Sequence, residues 1–413
     1  MATRTESPQA GLPEERRPEL DVLRMVVVVG LVFFHSALVF ATEGDFYVRN
    51  AETTEAITVI AGFGVVWAMP LLFLISGLGA RHSLRRRGAG TFAKERLLRL
   101  GVPLLLATLL LNPLPQWLRL RSSDPDYDQS YAGFLPRFFD VHVEFDEAPF
   151  FVQGEHFETG HLWFVVLLLT FSLILAPLHR FLPHGPFRRL ADRTAAATLR
   201  RRGVVLLPAL AFAAICAFAG MEEGYAGWHR WSYLLFFAAG FILATDPRLR
   251  TVMRRDARSA ACLGALLFAA AAPGFTTAED PFTETTPLAV VSRALFGAAG
   301  WCLVVAIPGL LDRPRRQPPQ EPLAPAAPTA ASAPPSPTTR QRVYGYLAAA
   351  VLPLYVLHQP IVVAVAYFVV GWPAPIAVEY VVLVAVSLAL TLAAYELLVR
   401  RKRVTRFLFG MRD

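Results

Sequence analysis

The stretch LRMVVVVGLVFFHSALVF, residues 23–40, is long and apolar enough to form a membrane-spanning helix. It nevertheless carries Arg24 near one end and His35 well inside it. An ionisable side chain at the middle of a bilayer costs about 2.5–3.5 kcal/mol on insertion scales. Arg24 can avoid this cost because its long side chain reaches the headgroup region, whereas the short imidazole of His35 cannot. His35 is therefore the first candidate for a functional residue.

The composition of the whole chain is that of an integral membrane protein. Of its 413 residues, 54% are hydrophobic and only 17% are charged. The formal net charge is +8, but the basic residues form short clusters between apolar stretches, so we expect no nucleic-acid partner. The three cysteines, Cys216, Cys262 and Cys302, lack the spacing of disulfides or metal ligands, and we predict neither disulfides nor a bound metal.

Ten apolar stretches qualify as spans when charged residues mark their edges. They cover approximately 22–41, 57–80, 98–118, 161–182, 203–220, 229–245, 259–276, 290–311, 344–370 and 375–399. Arginines cluster before the first stretch, in every second loop and after the last one, which places both termini in the cytoplasm. The sequence therefore predicts an all-α polytopic bundle of about ten transmembrane helices in the inner (cytoplasmic) membrane.

The segments outside these stretches complete the domain organisation. We expect residues 1–17 to be a disordered cytoplasmic tail rather than a cleaved signal peptide. The membrane domain then covers 18–311, with spans one to eight, and 343–399, with spans nine and ten. Residues 312–342 are rich in Pro and Ala and predict a disordered cytoplasmic loop, and residues 400–413 form a basic cytoplasmic tail.

The loop at residues 119–160 differs from the other connections because it mixes acidic with aromatic residues. On the predicted orientation it lies outside the membrane. Two interpretations remain open: a segment that caps the spans near an acceptor site, or a loop that only rests at the headgroups.

Two further histidines lie at a depth comparable with that of His35. His161 begins the fourth predicted span, and His358 lies within the ninth. Arg24 and His35 are eleven residues apart, about three helical turns and roughly 16 Å of rise, so both side chains project from one face. The three histidines therefore indicate a polar site in the outer half of the membrane.

Each of these residues also has a purely structural interpretation. Arg24 can be an interfacial anchor, and His35 can form a hydrogen bond between helices. His161 can be an interfacial residue beside Trp163. His358 can bind backbone carbonyls freed by the prolines on either side of it.

Four motifs in this order resemble the acyltransferase 3 family of membrane-bound acyltransferases, and within it the branch of glucan biosynthesis protein C. They are Arg24 with His35, MPLLFLISGLGARHSLRRRGAGTFAKERLLRLGVPLLLATLLLNP at 69–113, HLWFVVLLLTFSLILAPL at 161–178 and LPLYVLHQPI at 352–361. The resemblance covers about 18–311 and 344–399. It departs from the family pattern at Leu78, where an aromatic residue is common.

The resemblance implies an acyltransferase that moves an acetyl, succinyl or similar group from cytoplasmic acyl-CoA to an acceptor hydroxyl, often outside the membrane. It also implies a carbohydrate or other hydroxyl acceptor, acyl-CoA as co-substrate and no permanently bound cofactor, and it leaves the oligomeric state open. The family's motif positions map onto a catalytic pair, His35 and Arg24, onto donor-binding Arg96 and Arg99, and onto substrate-binding Ser76, Gly77, His161, Trp163, Tyr355 and His358.

The chemistry of acyl transfer suits these residue types. A hydroxyl must lose its proton as it attacks a thioester, and a neutral imidazole is a suitable base, so we predict that His35 is the general base. No carboxylate on the first span faces His35, so a partner that orients its ring must come from another span, with His358 or Tyr355 as candidates. Gly77 has an equally good interpretation as a helix-packing residue.

Two rival functions remain open. Ten spans with buried polar groups also describe a transporter, although the internal repeats common among transporters are not evident here. A catalytically silent receptor or scaffold would tolerate alanine at position 35, whereas the enzyme would lose acylation.

Overall fold

The computed structural model describes residues 18–42, 44–181, 184–312 and 338–411. The predicted tail 1–17 and most of the predicted loop 312–342 lie outside the described residues. Within the described part the chain is mainly helical, and its one strand pair is β1 (His142–Val143) with β2 (Val152–Gln153), which are antiparallel.

The described helices follow the chain in an order that matches the predicted spans. They are α1 (Pro18–Leu38), α2 (Glu55–Arg87), α3 (Ala89–Arg96), α4 (Val102–Leu110), α5 (Pro113–Ser123), α6 (Tyr131–Phe138), α7 (Trp163–Phe181), α8 (His184–Arg200), α9 (Ala209–Phe218), α10 (Arg230–Leu243), α11 (Pro247–Thr277), α12 (Pro287–Leu311), α13 (Thr339–Val369), α14 (Ile376–Ala394) and α15 (Arg403–Leu408).

Short turns of other helical types join several of these elements. Leu97–Gly101 and Tyr395–Val399 are π-helical turns, and Gly160–Leu162, Val204–Leu206 and Glu223–Tyr225 are 3-10 turns. The third predicted span consequently lies in one long, irregular helical segment, Ala89–Ser123. In this segment a π turn joins α3 to α4. Such turns interrupt regular hydrogen bonding and are frequent at functional sites.

Eight helical segments of the described chain are long and apolar enough to cross a membrane. The fifth and sixth predicted spans correspond to shorter segments, Val204–Phe218 and the 14-residue helix α10. At about 1.5 Å per residue, α10 is roughly 21 Å long, less than the roughly 30 Å of a bilayer's hydrocarbon core. The all-α membrane architecture is thus confirmed, and the count of ten and the orientation of the termini stay predictions.

Helix is also present in two segments outside the predicted spans. The ninth helix, α13, already begins at Thr339, inside the predicted loop 312–342, because Thr338 and Gln341 form a capping box that satisfies the free N–H groups of its first turn. The predicted basic tail contains the short helix α15.

The bundle core is formed where α1 packs against α13 and α2, and α12 packs against α9 and α11. The contact between α2 and α10 depends on two glycines. A Cβ atom on Gly77 would collide with the backbone of Phe237, and one on Gly240 with that of Leu74. These glycines let the two helix backbones approach closely, as small residues do between membrane helices.

The acidic and aromatic loop at 119–160 is ordered and packs onto the bundle. Phe134 and Phe138 of α6 are fully buried. Glu147 forms an ion pair with Arg230 at the start of α10, at 3.1 Å. Phe150 stacks on Tyr225, with ring centroids 4.8 Å apart. The loop therefore covers part of the bundle end.

Candidate active site

The packing of α1 against α13 brings His35 and His358 together. Nδ1 of His35 lies 3.0 Å from Nε2 of His358, and the ring centroids are 5.0 Å apart. His358 is fully buried, whereas His35 is partly exposed. The first span carries no carboxylate that faces His35, and in the structure the ring of His35 is paired with a residue of another helix.

The hydrogen bonds of His358 decide which nitrogen of His35 carries a proton. Nδ1 of His358 lies 2.6 Å from the backbone oxygen of Tyr355, and a carbonyl can only accept, so Nδ1 carries the hydrogen. Nε2 of the neutral ring is then an acceptor, and Nδ1 of His35 must donate to it. The lone pair of His35 is left on Nε2, which has no hydrogen-bond partner among the described residues.

The position of His161 follows from a proline. Pro360 has no N–H to offer the carbonyl four residues before it, so the oxygen of Val356 is free to accept another hydrogen bond. Nε2 of His161 donates to that oxygen at 3.1 Å. The ring of His161 meets the ring of His358 edge-on, with centroids 5.1 Å apart. The carbonyl of Val356 therefore accepts a hydrogen bond from His161, while His358 donates to the carbonyl of Tyr355.

Two more hydrogen bonds fix the start of α7 to α13. The backbone N–H of His161 donates to Oε1 of Gln359 at 2.9 Å, and the hydroxyl of Tyr355 donates to the backbone oxygen of His161. All three histidines are consequently held by the segment 355–360 of α13.

A cavity of about 330 Å³ reaches this segment from the side of Arg24. Its described lining includes five arginines and no carboxylate: Arg24, Arg86, Arg87, Arg96 and Arg99. Tyr355 and Phe164 also line it, and the backbone oxygen of Tyr355 is the acceptor for His358. The cavity thus joins a cluster of positive charge to the helix turn that carries the histidine pair.

Arg24 is held inside the protein rather than directed to the headgroups. Its Nη1 donates to Oδ1 of Asp21 and its Nη2 to the backbone oxygen of Ile75, each at 3.1 Å. The guanidinium of Arg96 lies over the ring of Phe92, 5.0 Å from its centroid. Arg99 lies in the π turn between α3 and α4. The interpretation of Arg24 as a simple interfacial anchor therefore does not describe its contacts.

The predicted site residues fall into two groups, and two of them lie elsewhere. Arg24, Ser76, Arg96, Arg99 and Tyr355 line the cavity. His35, His161 and His358 form the cluster beside it. The two exceptions are Trp163 and Gly77: Trp163 is buried among aromatic rings that include Tyr233, at 5.1 Å between centroids, and Gly77 faces α10.

Sequence reasoning missed the other polar residues of the cavity wall that α2 supplies. They are His82, Ser83, Arg86 and Arg87. The signal was present, because Ser76, Gly79, Ser83 and Arg86 follow one another at intervals of three or four residues and therefore share one face of a helix. The arginines of this segment, however, are also explained by the excess of positive charge in cytoplasmic loops.

Comparisons with known proteins agree with this architecture. The model of the acyltransferase 3 family, described as "Acyltransferase domain", matches residues 17–396. A glucans biosynthesis protein C from Escherichia coli is 22% identical over 277 residues, which are 63% of this chain and 66% of that protein. The protein of the same name from Salmonella gallinarum is 23% identical over 212 residues, half of each chain.

This chain thus spans about two thirds of the length of the Escherichia coli relative and half of the Salmonella gallinarum one. No solved structure matches it. The family model covers nearly the whole chain, and the resemblance carried by the four motifs is confirmed. The chain is a multi-pass membrane protein that belongs to the acyltransferase 3 family.

Proposed function

We propose that this protein is an acyl-CoA-dependent O-acyltransferase of the inner membrane that acylates a carbohydrate hydroxyl on the outer side. The observation that carries the proposal is the hydrogen-bond series from the oxygen of Tyr355 through His358 to His35. This series leaves a basic nitrogen without a partner among the described residues, beside a cavity rich in arginine.

In the proposed reaction, Nε2 of His35 removes the proton of the acceptor hydroxyl as its oxygen attacks the thioester carbonyl. The tetrahedral intermediate collapses, the carbon–sulfur bond breaks, and the imidazolium returns the proton to the departing thiolate. The products are the acyl ester and free CoA. His358 keeps the ring of His35 in the reactive tautomer and does not itself exchange a proton in this sequence.

The donor enters the arginine-lined cavity from the cytoplasm in this proposal. Coenzyme A carries a pyrophosphate and a ribose phosphate, and guanidinium groups bind such oxygens through charge-assisted, often paired, hydrogen bonds. Arg96, Arg99 and Arg24 lie along the wall that leads toward Tyr355. The thioester would thus be brought toward the histidines with its phosphates held at the opposite end.

The choice of acceptor rests on the relatives. Their name, glucans biosynthesis protein C, supports a glucan acceptor. An acyl group of the acetyl or succinyl class fits the family. The hydrogen bonds of His35 and the arginine lining of the cavity support the proposed base and donor site, and the name of the relatives supports the proposed acceptor class.

The test is mass spectrometry of envelope glycans from three strains of the native host: the wild type, a deletion, and the deletion complemented by the His35→Ala variant. We expect the deletion to remove an acyl mass from a glycan, and the variant, at normal membrane abundance, to fail to restore it. Full restoration by His35→Ala would show that His35 is structural. A deletion that changes glycan accumulation without loss of an acyl mass would favour transport.

A further inference from the structure

A second polar cluster lies past the C-terminal end of α1, which is the end opposite Arg24. The hydroxyl of Tyr47, in the connection after α1, donates to Oε1 of Glu158, in the connection before α7. The side-chain amide of Gln116, in α5, also favours the charged form of Glu158 and so acts to lower its pKa. Asn112 donates to the backbone oxygen of Glu158 at 3.2 Å. The connection after α1 and the start of α5 thus converge on one glutamate.

This cluster adjoins the histidines. Phe46, next to Tyr47, stacks almost parallel to the ring of His35, with centroids 6.0 Å apart. Glu158 lies three residues before His161. Between them, Gly160 has a positive φ of 50°, and a Cβ atom there would lie 2.9 Å from the hydroxyl of Tyr47. The geometry therefore places Tyr47 and Glu158 directly beside the segment that positions His161.

Glu158 retains capacity for a ligand. Its side chain is partly exposed, whereas Tyr47, Asn112 and Gln116 are buried around it. A carboxylate offers about four acceptor positions, and the hydrogen bond that this carboxyl group accepts within the described residues comes from Tyr47. Carboxylate oxygens in such surroundings bind hydroxyl donors strongly.

The surroundings also fix the protonation of Tyr47. Burial raises the pKa of Glu158, and burial together with the neighbouring Glu158 raises the pKa of Tyr47 well above its usual range. Tyr47 is therefore a hydrogen-bond donor at every physiological pH. Its donated bond leaves the second carboxyl oxygen of Glu158 available to other partners.

From this geometry we infer that Glu158, positioned by Tyr47 and Gln116, binds hydroxyl groups of the carbohydrate acceptor on the outer side of His35. The inference rests on the proposed function and deepens it. The donor and acceptor then approach the histidines from opposite ends of α1, the donor along Arg24 and the acceptor along Glu158. The cluster also contains Arg119, whose guanidinium lies 5.7 Å from the ring centroid of Tyr47 and forms an ion pair with Asp45. Because that pair is mutually neutralised, Glu158 is the remaining ionisable acceptor among amide, hydroxyl and aromatic groups, and uncharged polyols suit this end.

The test uses the full-length protein in lipid nanodiscs with a β-glucan hexasaccharide as acceptor probe and acetyl-CoA or succinyl-CoA as donor. Hexasaccharide binding is measured by calorimetry, and transfer by the acceptor KM and donor KM. We expect Glu158→Gln to weaken hexasaccharide binding and to raise the acceptor KM by about 10- to 100-fold, the value of a hydrogen bond to a charged group, with the donor KM unchanged. Tyr47→Phe should raise the acceptor KM less, because the carboxylate remains.

The matched control is Glu155→Gln, the same substitution three residues away at an exposed side chain. It should leave both KM values unchanged. Glu158→Asp keeps the carboxylate and serves where Glu158→Gln lowers the yield of folded protein. Melting temperatures of all variants identify a purely structural role, which would lower stability without changing the acceptor KM of the folded protein.

The outcomes separate the two proposals. A wild type that binds the hexasaccharide in a Glu158-dependent manner but transfers no acyl group supports the subsite and overturns the proposed function. A wild type that transfers acyl groups, with an unchanged acceptor KM in folded Glu158→Gln and Glu158→Asp, overturns the subsite alone. A wild type that neither binds nor acylates the hexasaccharide overturns the assignment of the subsite to a carbohydrate.

Discussion

The arginine-lined cavity and the histidine cluster differ in how their polar side chains are paired within the membrane domain. In the cavity, Arg24 pairs with Asp21 and Arg87 with Glu95, but Arg96 and Arg99 form no salt bridge with any described residue. The histidines instead place their N–H groups on one another and on uncharged backbone carbonyls.

This difference predicts that the cavity binds the donor and that the histidine cluster carries out the chemical step. Poorly neutralised cations in a cavity favour the arrival of an anion, because an uncompensated charge away from water is costly. Neutral imidazoles in a hydrogen-bonded series carry no such need, and their arrangement selects which nitrogen is basic. Charge in the first region should therefore control affinity for a donor, and geometry in the second should control the rate of the chemical step.

The largest effect should come from His35. His35→Ala should lower kcat by about 10²- to 10⁴-fold, the usual contribution of a general base, because it removes Nε2 of His35, whose lone pair the bond to His358 leaves without a partner among the described residues. His35→Asn should be as inactive, although its amide can still donate to His358. Acyl-CoA binding, measured by calorimetry, should be unchanged in both variants. An active Asn variant would show that hydrogen bonding at this position suffices and that no base is needed.

His358 should come second, because it acts through His35. His358→Ala should lower kcat by about 100-fold, less than the loss of about 10⁴-fold seen when an orienting carboxylate is removed from a catalytic triad. His358→Gln should recover part of the rate, since its amide oxygen can accept the same hydrogen bond from Nδ1 of His35. Equal rates for the Ala and Gln variants, at equal melting temperatures, would contradict the orienting role.

Arg99 should affect donor binding and little else. Arg99→Ala should raise the KM for acyl-CoA by about 10-fold, the lower end for a hydrogen bond to a charged group, with kcat and the acceptor KM unchanged. Arg85→Ala is the matched control, because Arg85 is exposed and does not line the cavity. Equal effects of the two substitutions would indicate a general dependence on positive charge rather than a binding site.

The part of the fold that sequence predicted best is the part that hydropathy determines. All ten apolar stretches are helical segments, and the motif residues other than Trp163 and Gly77 line the cavity or form the histidine cluster. The departures have local causes. The helix α10 is shorter than a span because the polar residues around His229 and the Asp246 cap bound it, and a hydropathy window smooths over such ends. The early start of α13 depends on a two-residue capping box that apolar content does not reveal.

Within the site, the functional residues were identifiable from the sequence, but their hydrogen-bond partners were not. The position of His35 on the first span was evident, but its bond to His358 depends on how α1 packs against α13. The bond from His161 to the oxygen of Val356 follows from Pro360, and the sequence had offered that freed carbonyl to His358 instead. The role of Glu158 could not be predicted, because it was one acid among many in an acidic loop.

The smallest effect should come from Gly79, and its contrast with Gly77 sharpens the boundary of the cavity. A Cβ atom on Gly79 would lie 3.5 Å from Nη2 of Arg24, an ordinary contact, so Gly79→Ala should change the donor KM by less than about twofold, or about 0.5 kcal/mol. A Cβ atom on Gly77 would collide with the backbone of Phe237, so Gly77→Ala should destabilise the fold by about 1–3 kcal/mol. Melting temperatures and KM values of both variants, measured in nanodiscs, provide the comparison. A normal melting temperature for Gly77→Ala with a raised acceptor KM would instead assign Gly77 to substrate binding. Substitution of a glycine whose role is helix packing should lower the melting temperature.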